Sequence, residues 1–236
     1  MYYYKFLTVH NMGEFSGFDF TPYLPTRDQP GEWLPAVTGD LKACGNGYHA
    51  HPAEHLLSWL NTKLFEVEFQ GELLTSDNKV IGRQMRFVKR IQSWNIRAIQ
   101  EFAFWCVRNT PLHDGRTTWD LLDDAATKEF ICVAERFVRG EATEAQLFAT
   151  QYAHTNAARK ALELTVAEET VSDAVVYAAR TTRAAFGDYA RTAAQNAAIA
   201  ARCVPEIAIA AGDAAFRTAR AAQLKRLLEV LDLPGI

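Results

Sequence analysis

The strongest constraint on this chain is a change of period close to Ser93. Before it, apolar residues recur at alternate positions in short runs, and most of the Gly and Pro are found there. Beyond it Pro becomes rare, and apolar residues, alanine above all, recur at helical spacing. Alternation lines one side of a strand, whereas the 3.6 period lines one side of a helix, so the two halves need different architectures. The expectation is an α+β chain. A small mixed or antiparallel sheet domain over residues 1–93 is followed by an all-α, alanine-rich helical bundle over residues 94–236.

Tyr3 to Val9 reads as a first strand, rich in aromatic and β-branched residues. Glu14 to Phe20 alternates loosely, with Phe18 and Phe20 on one side. Pro22, Pro25, Pro30 and Pro35 mark a loop, since each removes a backbone donor. Pro52 opens a short helix to Leu60 that buries Leu56, Leu57 and Leu60. In Leu64 to Gln70, Phe65, Val67 and Phe69 face one way and Glu66, Glu68 and Gln70 the other. Asp77-Asn78-Lys79 turns the chain into a partner strand, Val80 to Ile91, with Met85 and Phe87 on a common face.

In the second half, the residues after Ser93-Trp94-Asn95-Ile96 predict a helix buried along Ile99, Phe102, Ala103 and Cys106 and ended by Pro111 and Gly115. Thr117 or Thr118 caps the next, which carries Leu121, Leu122, Ala125, Phe130, Ala134 and Phe137 as far as Gly140. Thr143 and Gln146 have capping-box spacing. Gly187-Asp188 and Val204-Pro205 separate three further helical segments, the last closing at Leu233-Pro234-Gly235. Alanine suits such a bundle because it lets helices approach closely and carries the best helix propensity.

Composition narrows the function classes. With 49% hydrophobic and 22% charged residues the chain has enough apolar surface for folded cores. A net charge of −3 with both signs interspersed leaves no basic stripe, which argues against a nucleic acid partner. Met1 to Phe6 does not read as a secretory leader, and no apolar run is long enough for a bilayer, so the expectation is a cytoplasmic protein without a membrane partner. Cys44, Cys106, Cys132 and Cys203 are widely scattered, as in a reducing compartment. The last three sit in apolar helical settings that suit core residues.

Chemistry-bearing residues concentrate between Cys44 and His55. Cys44, His49, His51 and His55 are candidate zinc ligands, although their spacing matches no standard site and a turn with exposed imidazoles accounts for the same residues. Glu66 and Glu68 share a strand face where a carboxylate pair can serve acid–base chemistry. Cross-strand pairing with Arg83, Arg86, Lys89 and Arg90 is the favoured account of them. Trp59, Trp94, Trp105 and Trp119 are expected in packing. No phosphate-binding glycine loop, nucleophile elbow or CxxC pair is present, and no cofactor is expected.

The order Cys44-x-x-Gly47-Tyr48-His49, Trp59-Leu60, Phe65-Glu66-Val67-Glu68, Gly71-Glu72, Lys79 and Trp94 resembles an uncharacterised domain of phage and prophage proteins. Phe102-Ala103-x-x-Cys106, Phe137-Val138-Arg139-Gly140-Glu141 and the alanine-rich helices are similar to actinobacterial-type immunity-protein domains. These resemblances imply a non-catalytic, phage- or prophage-associated interaction protein that binds a protein partner or self-associates through its helical half. A more distant resemblance joins Gly17-Phe18, the Gly47-Tyr48-His49 turn and the strand bearing Glu68 to ADP-ribosyltransferase-like folds. It implies an NAD-binding alternative in which His49 and Glu68 are catalytic and Tyr48 and Trp94 bind the ligand.

Overall fold

A computed structural model of the chain describes residues 2–122, 124–153, 190–203 and 209–233. They divide into a sheet unit, Met1–Asn95 with Leu228–Ile236, and a helical unit, Ile96–Leu227.

The sheet unit is built on β1 (Tyr3–Leu7), β2 (Tyr48–Ala50), β3 (Lys63–Ser76) and β4 (Lys79–Arg90), all antiparallel in the order β1-β3-β4-β2. The β3–β4 hairpin turns at Asp77-Asn78 as its residues predict, and β3 runs six residues beyond Gln70. A register shift between Gln70 and Leu73 adds twist to that outer half. Tyr4 and His51 exchange both backbone hydrogen bonds at 2.8 Å, which brings the chain just beyond β2 onto β1 and curls the sheet. The edge of β4 beyond β2 is also covered. The N–H groups of Gly31, Leu34 and Val37 donate to the carbonyls of Phe87, Met85 and Arg83. Part of the expected proline-rich loop therefore satisfies a sheet edge that would otherwise stay open.

Inside the curl, Leu7, Phe20, Leu34, Ala50, Phe65, Val67, Met85 and Phe87 form one core. A side chain at Gly82 would meet Phe69 there, its Cβ 2.3 Å from Phe69 Cδ1. A second anchor is Trp94, fully buried, edge-on to Phe6 with centroids 6.0 Å apart, its Nε1 donating to the Asn61 carbonyl at 2.7 Å.

Three local expectations change. Glu14 to Phe20 is a hydrogen-bonded loop closed by a Met12–Asp19 bridge, because Gly17 takes φ +62 and its N–H turns back onto Gly13. The segment after Pro52 is a 3-10 turn, Ala53–Ser58, with Pro52 extended as its cap; Leu56, Leu57 and Leu60 are buried as predicted. The sheet unit also recruits the chain's far end. Leu228 and Leu231 are buried, and Ser93 Oγ donates to the Leu231 carbonyl at 3.0 Å. Leu228 and Leu231 of the expected 94–236 helical domain thus belong to the sheet unit, where Ser93 supplies a donor to a helix C-terminus whose carbonyls need them.

The helical unit contains α1 (Ile96–Asn109), α2 (Ala125–Val138), α3 (residues 144–153), α4 (Ala190–Arg202) and the larger part of α5 (Ile209–Leu231). The helix expected from Thr117 to Gly140 is two elements. Thr117 and Asp120 form a capping box on a 3-10 turn, Thr118–Leu121, and Asp124 then caps α2 through the N–H groups of Ala126 and Thr127. The Thr143–Gln146 box opens α3, with Gln146 N–H donating to Thr143 Oγ1 and Thr143 N–H to Gln146 Oε1. On α4, Ala193, Ala194, Ala197, Ala198, Ala200 and Ala201 are fully buried, and α4 packs on α1. Gln223 is also fully buried and satisfied by Thr110 Oγ1 and the Ala194 carbonyl. The breaks expected at Gly187-Asp188 and Val204-Pro205 lie outside the described residues. Of the three helical cysteines only Cys106 is fully buried; Cys132 is exposed and Cys203 half-buried, so core packing explains one of them.

Candidate functional site

The turn before β2 is built so that Cys44 projects from it. Lys42 N–H donates to the Asn46 carbonyl and Gly45 N–H to that of Lys42, while Asn46 Nδ2 ties the turn to the Thr38 and Asp40 carbonyls. Cys44 takes φ +58, uncommon for a residue with a side chain. Gly47, at φ +125, is the residue the turn requires, because a Cβ there would lie 2.3 Å from Ile81 Cγ2. His49 then reaches back, and its Nε2 accepts from the Cys44 N–H at 3.2 Å. That bond leaves the His49 proton on Nδ1.

Lys79, the first residue of β4, completes the group. Its Nζ donates to Cys44 Sγ at 2.9 Å and stands 5.5 Å from the centre of the Trp59 ring. Lys79 is 9% exposed, and among the described residues it makes no ion pair with a carboxylate. His51 stacks on Trp59 with centroids 4.2 Å apart, and its Nδ1–H donates to the Asn78 carbonyl. Trp59 Nε1 is buried and, among the described residues, has no hydrogen-bond partner. Lys5 lies beneath, donating to the His49 carbonyl at 2.7 Å with its Nζ 5.1 Å from the Phe20 ring centre.

Burial lowers the pKa of the basic groups around the turn, and like charge nearby lowers the imidazoles further. Burial, then the positive charges of Lys5 and Lys79, lower His49 to about 4 against the opposing hydrogen bond at Gly47. Burial foremost takes His51 to about 3, and burial lowers Lys5 to about 8. Both imidazoles are therefore neutral near pH 7. The cation at the sulfur is Lys79, and a thiol beside a cation is the setting in which cysteines act as nucleophiles.

The predicted site residues separate into those that meet and those that do not. Cys44, His49 and His51 gather around Lys79, whereas His55 sits on the 3-10 turn. Among the described residues, Cys44, His49, His51 and His55 included, no group of three or more His, Cys, Asp or Glu side chains is placed to hold a metal ion. His49 Nε2 is occupied by the Cys44 amide, and His51 Nδ1 by Asn78. Glu68 does not join His49. They pair with Arg86 and Ile81 of β4, five residues apart, or roughly 17 Å along a strand at about 3.4 Å per residue. Glu68 is held by Arg86, Glu66 by Lys89 at 3.2 Å and Glu72 by Arg83 at 2.7 Å, the cross-strand pairing read from the alternation. Tyr48 donates to the Pro35 carbonyl, and Trp94 is core, so neither lies against His49 as part of an NAD cleft.

Two participants had faint signals in the sequence. Lys79 stands in the motif order without an evident role. Lys5 occupies an inward position between Tyr3 and Leu7, where an apolar residue is expected.

The helical unit offers a contrasting cleft of about 240 Å³, lined by Trp105, Arg108, Glu135 and Arg139 among others. Arg108 holds Glu135 through two bonds of 2.6 and 2.8 Å, stacks over Trp119 at 4.0 Å and donates to the exposed Cys132 Sγ at 3.3 Å. Its charge is already met. No described helix is long and apolar enough to cross a membrane. Comparison with known proteins finds no matching family model, no similar curated protein and no similar solved structure.

Proposed function

We propose that the sheet unit carries a thiol-centred site in which Cys44 is the nucleophile. Lys79 is the cation paired with its sulfur, and His49 holds the turn that presents it. The substrate class is a small, soft electrophile that reaches the exposed sulfur beside the Trp59 ring and is attacked at an electrophilic carbon or sulfur. One observation carries this reading. A nearly buried ammonium has the sulfur of an exposed cysteine 2.9 Å away and, among the described residues, no carboxylate partner. Such a cation is costly to bury without a polar partner, and the sulfur is the partner that meets it.

Alkylation of the purified chain by limiting iodoacetamide, read by peptide mass mapping, tests the site. Cys44 is expected to label first of the four cysteines, and Lys79→Met to slow it several-fold while leaving Cys132 unchanged. Equal labelling of Cys44 and Cys132 in the parent protein removes the proposal.

Partner binding or self-association through the helical unit, in a phage- or prophage-linked setting, is the second reading. It is supported by Phe148 and Tyr152 on α3, one turn apart and 57% and 74% exposed. Sedimentation equilibrium tests the self-association arm, in which the Phe148→Ser, Tyr152→Ser double variant dissociates an assembly that the parent forms.

A further inference from the structure

We infer that Cys44 and Lys79 form a reversible covalent cross-link through a single oxygen atom, a sulfur–oxygen–nitrogen bridge, when the protein meets dioxygen. This inference rests on the thiol-site reading and adds the regulation of that site.

Proximity is the first support. Sγ and Nζ stand 2.9 Å apart in hydrogen-bond contact, near enough for one small atom to join them. Constraint is the second. The Cys44 turn is fixed by its own backbone bonds, by Asn46 and by the His49 ring, and Lys79 is fixed as the first residue of a strand that pairs with both β2 and β3. The two reactive atoms, 35 positions apart in the chain, are thus held together before any reaction, which removes most of the entropic cost of joining them. Access is the third, since the thiol is exposed to dissolved oxidant. Competing chemistry is the fourth. The other exposed thiol, Cys132, faces Arg108, whose guanidinium is held by Glu135, and the remaining two cysteines are less accessible.

The step balances with dioxygen as the oxidant. A thiolate, an ammonium and one O₂ give the S–O–NH bridge and one water. One oxygen atom forms bonds to sulfur and to nitrogen. The O–O bond and two N–H bonds break, and the second oxygen leaves as water with the two protons released by the ammonium. Sulfur and nitrogen each give up two electrons, and dioxygen takes all four. Two molecules of a dithiol reductant, each oxidised to its disulfide, return the four electrons, restore the thiol and the amine, and release the bridging oxygen as water.

In the bridged state Cys44 has no free sulfur, so the site is closed to electrophiles until it is reduced. The tethered pair also joins the Cys44 turn to the start of β4.

The test uses the full chain, purified under reductant, freed of it and held in buffer equilibrated with isotopically labelled dioxygen. Intact mass after denaturation without reductant is expected to rise by one labelled oxygen less two hydrogens. Peptide mapping is expected to place that change on linked segments containing Cys44 and Lys79. Dithiothreitol should return the original mass and, with it, full iodoacetamide labelling of Cys44. Cys44→Ser and Lys79→Arg, each checked for native far-ultraviolet circular dichroism, should show none of the product. Oxygen added to Cys44 alone as a sulfenic or sulfinic acid overturns the bridge. A loss of two hydrogens without oxygen, which marks a direct sulfur–nitrogen bond, overturns it too, as does the same product from Lys79→Arg. Rapid alkylation of Cys44 with no cross-link removes this inference and leaves the thiol site standing. Slow alkylation with no cross-link removes both.

Discussion

Each unit of this protein holds an exposed cysteine whose sulfur accepts a hydrogen bond from a cation, and the two sites differ in what else the cation holds. In the helical unit Arg108 forms a two-point ion pair with Glu135 and lies over Trp119, so Cys132 is a third partner at 3.3 Å. The hydrogen bond to that carboxylate is the largest influence on the Arg108 pKa and raises it. In the sheet unit Lys79 faces an indole ring and a sulfur at 2.9 Å, surrounded by imidazoles that burial keeps neutral. A cation already neutralised by a carboxylate does little for a neighbouring thiol. One without a carboxylate has the sulfur as its hydrogen-bond partner. Exposure of a cysteine therefore says less about reactivity than the account of the charge beside it.

The largest effect that bears on this contrast is acid sensitivity. His49 and His51 have folded pKa values of about 4 and 3, below the usual value of about 6.5 in the unfolded chain. Between those limits the unfolded chain binds more protons, so stability falls as pH drops below about 6.5, by up to about 1.4 kcal/mol per pH unit for each group. Urea denaturation at a series of pH values is expected to show this slope, and His51→Phe, which keeps the stack on Trp59, to reduce it. An unchanged slope in that variant places the acid sensitivity elsewhere.

Removing the helical counter-charge is expected to have the next largest effect. Glu135→Gln strips Arg108 of its carboxylate while both side chains are mostly covered; an expected loss of about 1–3 kcal/mol reflects partial solvent screening of that charge. The same change should accelerate iodoacetamide labelling of Cys132, making it resemble Cys44. Unaltered labelling of Cys132 would break the comparison.

Lys79→Met should act in the opposite sense. It removes a nearly buried ammonium that has no carboxylate partner among the described residues and keeps an apolar contact with Trp59, so stability is expected to change by less than about 1 kcal/mol. A substantial loss in denaturant midpoint would mean that Lys79 is a structural anchor. The smallest effect belongs to the solvated face of the hairpin. Glu68→Gln weakens a pair whose members are about one third to two fifths exposed, and a cost below about 1 kcal/mol is expected, decreasing further at high salt.

Much of the architecture is legible from short-range pattern. Phe65, Val67 and Phe69 opposite Glu66 and Glu68 specify a half-buried strand, and the Arg and Lys residues of the following strand supply its cross-strand partners. The Thr143–Gln146 box and the alanine spacing of α4 are equally local, because caps and helical faces depend on residues three or four apart. Less visible is the split at Asp124. Asp124 is itself a good cap, yet the apolar period runs across it, so one long helix and two shorter elements present nearly the same pattern. The three-residue strand β2 is too short to show a period at all.

The candidate site divides along the same line. Alternation, turn chemistry and caps set the kinds of element, the place where one kind yields to the other, and a Cys44–Gly47–His49 turn that only glycine at position 47 permits. Those are interactions between near neighbours, written in the order of the residues. Folding in three dimensions brought Lys79 to Cys44 across 35 residues, laid His51 of the chain beyond β2 against Tyr4 of β1, and drew the end of α5 to Ser93. Such meetings depend on strand register and on which edges pair, and these are chosen by the summed burial of the whole core, where no single residue carries the signal.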